Sequence, residues 1–390
     1  MEEVPDGGMR CAVCKGKGLC GLPRCPIVSR FHTQAALTPV SSYMGASPSV
    51  FVGSYNYPEV RGGPLLIGDS DKPTDWIRAG LDIEEIIGLR AATINAKAAI
   101  PRMKASMQEI ALSSHPLDVE VTFERPVSFD LKFDGVLTPI GRSGTVENLD
   151  VIDNATVPRV VDRVTSDTDL GATDGVQELY TSSIDVYQIQ NILSAGLLGK
   201  KPTVVPTRWA ITAVDDMLGK AQKKEIGRFP PIEEVLVFGG KLYGNQIAVL
   251  LAPGGWRYEM VEQWRKNSLW AGTADVIVAD GEGEKAKKGY SPIAGAYYSA
   301  RLAVNEYLTG IRRTAQILVV RSVSGEYWAP LGTWVIREAT RKAMQSPPER
   351  YQTVAEGAVA VSRIIGDEAW VSASTLLPRL KTQRRLQDFF

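Results

Sequence analysis

Residues Glu234–Leu251 read Glu-Val-Leu-Val-Phe-Gly-Gly-Lys-Leu-Tyr-Gly-Asn-Gln-Ile-Ala-Val-Leu-Leu. Two apolar runs, Glu234–Phe238 and Gln246–Leu251, flank Gly239 and Gly240, which predicts two strands joined through a glycine turn. Gln316–Val323 is a further continuous apolar run and reads as a buried strand. The segments between and after these strands have helical spacing: Ile293–Leu308, before Gln316–Val323, is apolar on most sides, and Leu331–Met344, after it, ends before Pro347 and Pro348. Strands and helices interspersed in this way predict an α+β body with several helices packed on β-sheet.

Upstream the same reading continues with different signals. Asp82 followed three residues later by Glu85 is a capping-box pattern, and Ile83, Ile86, Ile87 and Arg90 continue it as a helix. Val119–Phe123 and Phe129–Phe133 predict a hairpin or two edge strands on either side of Pro126, and Asp185–Leu198 predicts a helix stopping at Gly199. Pro39–Asp75 is rich in glycine and proline and carries Phe51, Tyr55 and Tyr57, a composition that argues against regular structure. The body therefore extends over residues 36–375, with a subdivision near 150–180 as an option. Residues 1–35 form a separate small module and residues 376–390 a tail.

Composition limits the function classes. The 390 residues carry 44 Lys plus Arg and 44 Asp plus Glu, so no overall field draws the chain to nucleic acid or to an anionic membrane. Apolar runs fall far short of the roughly 20 residues of a membrane span, and acids occupy the start where a secretory signal would be basic. The reading is a soluble cytoplasmic protein, associated with the nucleoid if it works on DNA. His32 and His115 are the only histidines, which leaves no Ser-His-Asp or Cys-His constellation, and no Walker pattern is present.

All four cysteines lie in the N-terminal module. Cys11, Cys14, Cys20 and Cys25 have the spacing C-x2-C-x5-C-x4-C, with Gly16, Gly18 and Gly21 allowing the tight turns that gather four thiolates around one ion. Zinc is the natural occupant, and four sulfur ligands leave no open position, so the site is structural. Binding there contributes roughly 10 to 16 kcal/mol to a segment too small to fold alone. An iron–sulfur cluster and paired or free thiols stay open as alternatives. Arg10, Lys15, Lys17, Arg24 and Arg30 surround the cysteines without an acidic residue between Met9 and His32, and they are candidates for phosphate contact or for balancing the anionic thiolates.

The tail ends on Gln383, Leu386, Phe389 and Phe390, the spacing Q-x-x-h-x-x-a-a of the PCNA-interacting motif found in proteins that bind the sliding clamp. In one 3₁₀ turn Leu386 and Phe389 share a side and enter one apolar pocket, with Phe390 beside them and Gln383 offering its amide. Three buried anchors of about 1.5 to 3 kcal/mol each, less ordering costs, suffice for micromolar binding near about −8 kcal/mol. Within the body, Arg208 and Asp215 fall on one side of a helix that begins at Thr207 and read first as a structural ion pair. Arg301, Glu306, Arg321, Arg337 and Glu338 sit in apolar elements, which requires a partner for each. If Arg208, Asp215, Arg301, Arg321 and Arg337 converge on a cleft, they suit an enzyme acting on a nucleic acid or nucleotide. If they are scattered and separately paired, they suit a non-catalytic adaptor. Trp256, Tyr258, Trp264, Trp270, Tyr297 and Tyr298 are candidates for base stacking, with core packing the commoner use of such residues.

The four-cysteine start, Ser47–Leu65 with Phe51-Val52-Gly53 and Tyr57-Pro58, the segment Val205–Asp216, the Gly295–Leu308 helix and the terminal motif together resemble the archaeal Nre family of DNA repair proteins. The resemblance covers nearly the whole chain. It implies a role in DNA damage repair and binding to PCNA through Gln383, Leu386, Phe389 and Phe390, and it carries over no catalytic residue.

Overall fold

The computed structural model of the protein describes residues 24–382, apart from residues 69, 129–140, 284, 286 and 288. Among the described residues, twelve strands and thirteen helices fall into two compact units, Arg24–Leu218 and Gly219 onward. Each unit has its own six-stranded mixed sheet, in keeping with the α+β expectation. Residues 150–180 lie inside the first unit.

The first unit contains α1 (Pro26–Ala35), β1 (Val40–Ser47), β2 (Ser49–Val52), β3 (Arg61–Leu66), α2 (Pro73–Ala79), α3 (Ile83–Ala92), β4 (Ile94–Ala99), α4 (Ile100–Leu112), β5 (Leu117–Val127), β6 (Arg142–Val151), α5 (Arg159–Ser166), α6 (Ala172–Thr181) and α7 (Val186–Ser194). The strand order is β1-β5-β6-β4-β3-β2. In β5, Leu117, Val119, Val121 and Phe123 are buried while Asp118, Glu120, Thr122 and Glu124 are exposed. That alternation is what a sheet with one covered face requires, and α4 supplies Met103, Met107 and Ile110 to the covered side. Helix α3 starts as read from sequence: the Glu85 amide donates to Asp82 Oδ1 at 2.9 Å and the Asp82 amide donates to Glu85 Oε2 at 2.8 Å. Helix α7 likewise begins where Asp185 accepts from the Tyr187 amide.

The Pro39–Asp75 expectation is overturned, because this segment forms β1, β2, β3 and the start of α2. Its glycines serve close packing within the sheet. A Cβ on Gly63 would lie 2.0 Å from the Ala96 carbonyl oxygen of β4, and one on Gly62 would lie 2.7 Å from the Phe51 carbonyl oxygen of β2. Phe129–Phe133 lies outside the described residues, so the hairpin partner of Val119–Phe123 there is not described; β5 pairs instead with β1 and β6.

Helix α8 (Thr207–Ile226) contains the boundary between the units. The second unit continues with β7 (Val235–Leu242), β8 (Asn245–Ala252), β9 (Arg257–Trp264), β10 (Val276–Glu282), α9 (Gly295–Ile311), β11 (Gln316–Val323), α10 (Trp334–Gln345), β12 (Glu349–Tyr351), α11 (Val354–Ile365), α12 (Ala369–Ala373) and α13 (Leu376–Thr382), and its strand order is β10-β9-β11-β8-β7-β12. All eight residues of β11 are buried, which its place between β8 and β9 with helices over the sheet explains. Val235, Val237, Leu250, Leu318 and Val320 pack against Ala358, Val361, Ile365 and Trp370 on one face. The β7–β8 turn is not at Gly239–Gly240. Strand β7 runs on through both glycines, and the turn is Tyr243–Gly244, with φ of 48° and 74°. Positive φ at both central residues is the type I′ geometry whose twist suits a two-residue hairpin.

Candidate functional site

Of the cysteine module, Cys11, Cys14 and Cys20 lie outside the described residues, as do Arg10, Lys15 and Lys17. Cys25 is half-buried at the N-cap of α1. Exposed Arg24 reaches Glu84 of α3 at 3.8 Å, and Arg30 lies within α1. The clamp-motif residues Gln383, Leu386, Phe389 and Phe390 also fall outside the described residues.

The charged residues of the body separate into distinct networks. Arg301 of α9 is fully buried against Glu282 at the end of β10. The same carboxylate takes Lys223 of α8 at 3.1 Å and the Tyr297 hydroxyl at 3.2 Å. Lys223 also stands over the Trp256 ring, 4.4 Å from its centroid. Asn305 receives the Trp256 indole N–H at 3.0 Å and donates to the Gly219 carbonyl at 3.1 Å. Helix α8 passes Arg301 closely at Gly219, where a Cβ would lie 2.8 Å from Arg301 Nε. Burial pushes the Tyr258 and Tyr297 hydroxyls well above the usual tyrosine range, against the pull of Arg301 and with Glu282 adding to the rise, so both remain neutral donors.

Arg321 of β11 forms a second network. It pairs with Glu262 of β9, donates to Asn245 Oδ1 through Nε at 2.9 Å and Nη2 at 2.6 Å, and lies over the Trp264 ring. Asn245 in turn donates to the Leu242 and Tyr243 carbonyls, so Arg321 braces the type I′ turn. Glu262 sits opposite Val278, four residues before Glu282, which separates the two networks by about 13 Å along the strand. Arg341 of α10 makes a third, bidentate to Glu306 at 2.6 and 2.8 Å and reaching Glu338 at 2.9 Å. Arg337 is buried within α10. In the first unit Asp215 is fully buried, whereas Arg208 is exposed in the first turn of α8. The side of α8 expected to bury both becomes covered only toward Val214 and Leu218. Arg301 and Arg321 thus serve separate carboxylates and do not gather around one cleft.

A surface cleft of about 520 Å³ in the first unit is lined by Ser70, Asp75, Trp76, Ala79, Leu81, Glu85 and Leu89. The Asp75 carboxylate is held by Ser70 at 2.6 Å and by Arg78 at 3.0 Å, so its polar wall is internally satisfied. Nearby Asp71 accepts from the Ser49 hydroxyl, and burial raises its carboxyl above the usual aspartate range against the pull of that hydrogen bond and of Arg90.

Buried Glu259 of β9 was not singled out by sequence. It accepts from the Ser374 hydroxyl, from the Thr375 amide at 2.8 Å and hydroxyl at 2.6 Å, and from the Leu376 amide at 3.1 Å. A carboxylate here satisfies the unpaired amides at the start of α13 and complements its dipole. It also anchors the start of the last described helix to the sheet, and that helix ends at Thr382, next to the terminal motif that begins at Gln383.

The aromatic candidates, like those charges, serve the interior. Trp256, Tyr258, Tyr297 and Tyr298 are buried, and Trp264 and Trp270 pack edge-on at 5.9 Å. Among the described residues of the first unit, Tyr55 (92% exposed), Tyr57 (43%) and Trp209 (45%) are exposed rings, and Tyr57 and Trp209 meet with centroids 5.1 Å apart and planes at 59°; Tyr290 is exposed in the second unit. Tyr55 and Tyr57 occupy the β2–β3 loop with Asn56 at φ 60°, and Tyr57–Pro58 is a cis peptide. The available signal was the placement of two tyrosines in a Gly-Asn-Pro loop, where no core pattern explains them.

Residues 19–271 match the family model described as "Archaeal Nre, N-terminal", and residues 282–389 match "Archaeal Nre, C-terminal". The chain belongs to the archaeal Nre family. It is 36% identical to the DNA repair protein NreA of Archaeoglobus fulgidus over 376 residues, covering 93% of this chain and 95% of that protein. It is also 36% identical to the DNA repair protein NreB of the same organism, over 98% of this chain and all of that protein. With the DNA repair protein NreA of Haloferax volcanii the identity is 34% over 78% of each chain. No solved structure matches the chain. The N-terminal Nre match takes in Cys20, Cys25, the Tyr55–Tyr57 loop and Trp209, and the C-terminal Nre match runs through Gln383, Leu386 and Phe389. Among the described residues, no helix is long and apolar enough to cross a membrane.

Proposed function

We propose that this protein is a DNA repair factor held at its site of action by the PCNA sliding clamp, with a structural zinc module at its N-terminus and a body that contacts DNA. The observation that carries the reading is membership of the Nre family, whose named relatives are DNA repair proteins, in a chain that carries a Q-x-x-L-x-x-F-F spacing at residues 383–390. Gln383, Leu386, Phe389 and Phe390 are the clamp anchors. The Glu259 cap supports this arrangement, because a docked α13 gives the peptide a firm starting point. Cys11, Cys14, Cys20 and Cys25 would hold the zinc, and Arg10, Lys15, Lys17, Arg24 and Arg30 supply local positive charge for phosphate. The separately paired networks of Arg301, Arg321 and Arg341 favour a scaffolding body over a catalytic one.

Calorimetric titration of the cognate clamp tests the central step. The intact protein is expected to bind with micromolar or tighter affinity, and a Phe389→Ala, Phe390→Ala double variant to lose that binding. Equal or absent binding in both would end the clamp reading.

A further inference from the structure

We infer that Tyr55, Tyr57 and Trp209 form a stacking platform for the unpaired bases of single-stranded DNA, a site that rests on the DNA-contacting role proposed above. Three large rings stand open on one unit, and a folding core accounts for none of them, since Tyr55 is 92% exposed and Tyr57 and Trp209 are nearly half exposed. Scattered exposed apolar residues are ordinary, but rings brought together from distant segments and left open mark a binding surface. Tyr57 and Trp209 come from a loop and a helix far apart in the chain, yet their centroids lie 5.1 Å apart with planes at 59°. The pair makes an open corner in which a base lies flat on one ring with its edge toward the other.

The corner is held from below. The Val52 amide on edge strand β2 donates to Thr207 Oγ1 at 2.9 Å, which ties the start of α8 to the base of the tyrosine loop. The Gly53 amide donates to the Arg61 carbonyl at 2.9 Å and closes that loop. Ser194 adds a hydroxyl contact to Thr207 at 3.1 Å. Ordering costs on binding are reduced when the rings are already placed.

Charge around the corner suits a phosphate backbone. Arg208 adjoins Trp209 and is exposed, and exposed Arg61 at the loop's base donates to the Lys97 carbonyl and the Thr145 hydroxyl rather than to a carboxylate. Lys97 lies over the Phe51 ring at 5.1 Å and donates to Ser143 at 2.9 Å. Glu59 is the acidic residue of the loop. Aromatic faces beside guanidinium groups bind unstacked bases with little regard to sequence, whereas duplex DNA keeps its base faces covered.

The test uses the full-length protein and a fluorescein-labelled oligothymidylate, with anisotropy read across a series of salt concentrations and a duplex as comparison. The parent is expected to prefer the single strand. Tyr57→Ala and Trp209→Ala should each weaken binding about 5- to 150-fold at every salt concentration, while Trp209→Phe retains most of it. Arg208→Gln should instead flatten the salt dependence by about 0.7 in the log–log slope. Tyr55→Ala, at a site too exposed to matter to folding, keeps the test valid if a Trp209 variant unfolds. Equal single-strand affinity in the parent and in a folded Tyr55→Ala, Tyr57→Ala double variant would overturn the platform while leaving DNA contact elsewhere intact. A parent that binds neither DNA form would overturn both the platform and the DNA-contacting role.

Discussion

Glu259 illustrates how much one buried side chain can decide. Its carboxylate serves two hydroxyls and two amides at the start of α13; the buried Ser374 hydroxyl and Leu376 amide would lose that acceptor if the carboxylate were removed, while exposed Thr375 can turn to water. Glu259→Ala is therefore expected to lower stability by about 2 to 3 kcal/mol. The check is the urea unfolding midpoint together with faster amide exchange at Leu376 and Leu377. Glu259→Gln should fall between the two, because one carbonyl oxygen still accepts. Nothing in the sequence around Met260 advertises this role: a glutamate at an interior strand position can be read as needing a partner, but that partner lies 117 residues away at Leu376. The same holds for Arg301 and Arg321, whose need for partners was legible while Glu282 and Glu262 were not.

Among the elements, those with local signals were readable and those built by close approach were not. The α3 capping box, the β11 run and the apolar α9 helix each lie within a short stretch, and each appears where its pattern predicts. Gly62, Gly63, Gly239 and Gly240 misled because glycine marks both turns and close contacts, and here it marks contacts. Gly240 makes the distinction measurable. A Cβ there would lie 2.9 Å from the Ala343 backbone of α10, and Gly240→Ala should destabilise the protein by about 1 to 3 kcal/mol as the helix is forced away. Gly88→Ala in α3 meets nothing within 4 Å and should stabilise by about 0.5 to 1 kcal/mol through helix propensity. Thermal unfolding of the two variants side by side compares these signs.

For the molecule as a whole, the terminal features carry the functional proposal and the two sheets carry the stability. The purified protein is expected to contain one zinc per chain by elemental analysis and to lack the visible absorption of an iron–sulfur cluster, and Cys14→Ser should release the metal. Visible absorption with bound iron would replace zinc by a cluster at Cys11, Cys14, Cys20 and Cys25. Those four cysteines, the terminal anchors, the helix caps and the apolar strands are written in short stretches, because metal spacing, peptide motifs and hydrophobic periodicity are each local properties of the chain. Which charges pair, where the β7–β8 turn falls and which rings stay in solvent depend on residues far apart meeting in space: Glu259 with Leu376, Arg321 with Asn245, and Tyr57 with Trp209. Short-range pattern states that a buried arginine needs a partner or that a loop carries tyrosines; only long-range packing selects the partner and leaves the rings open.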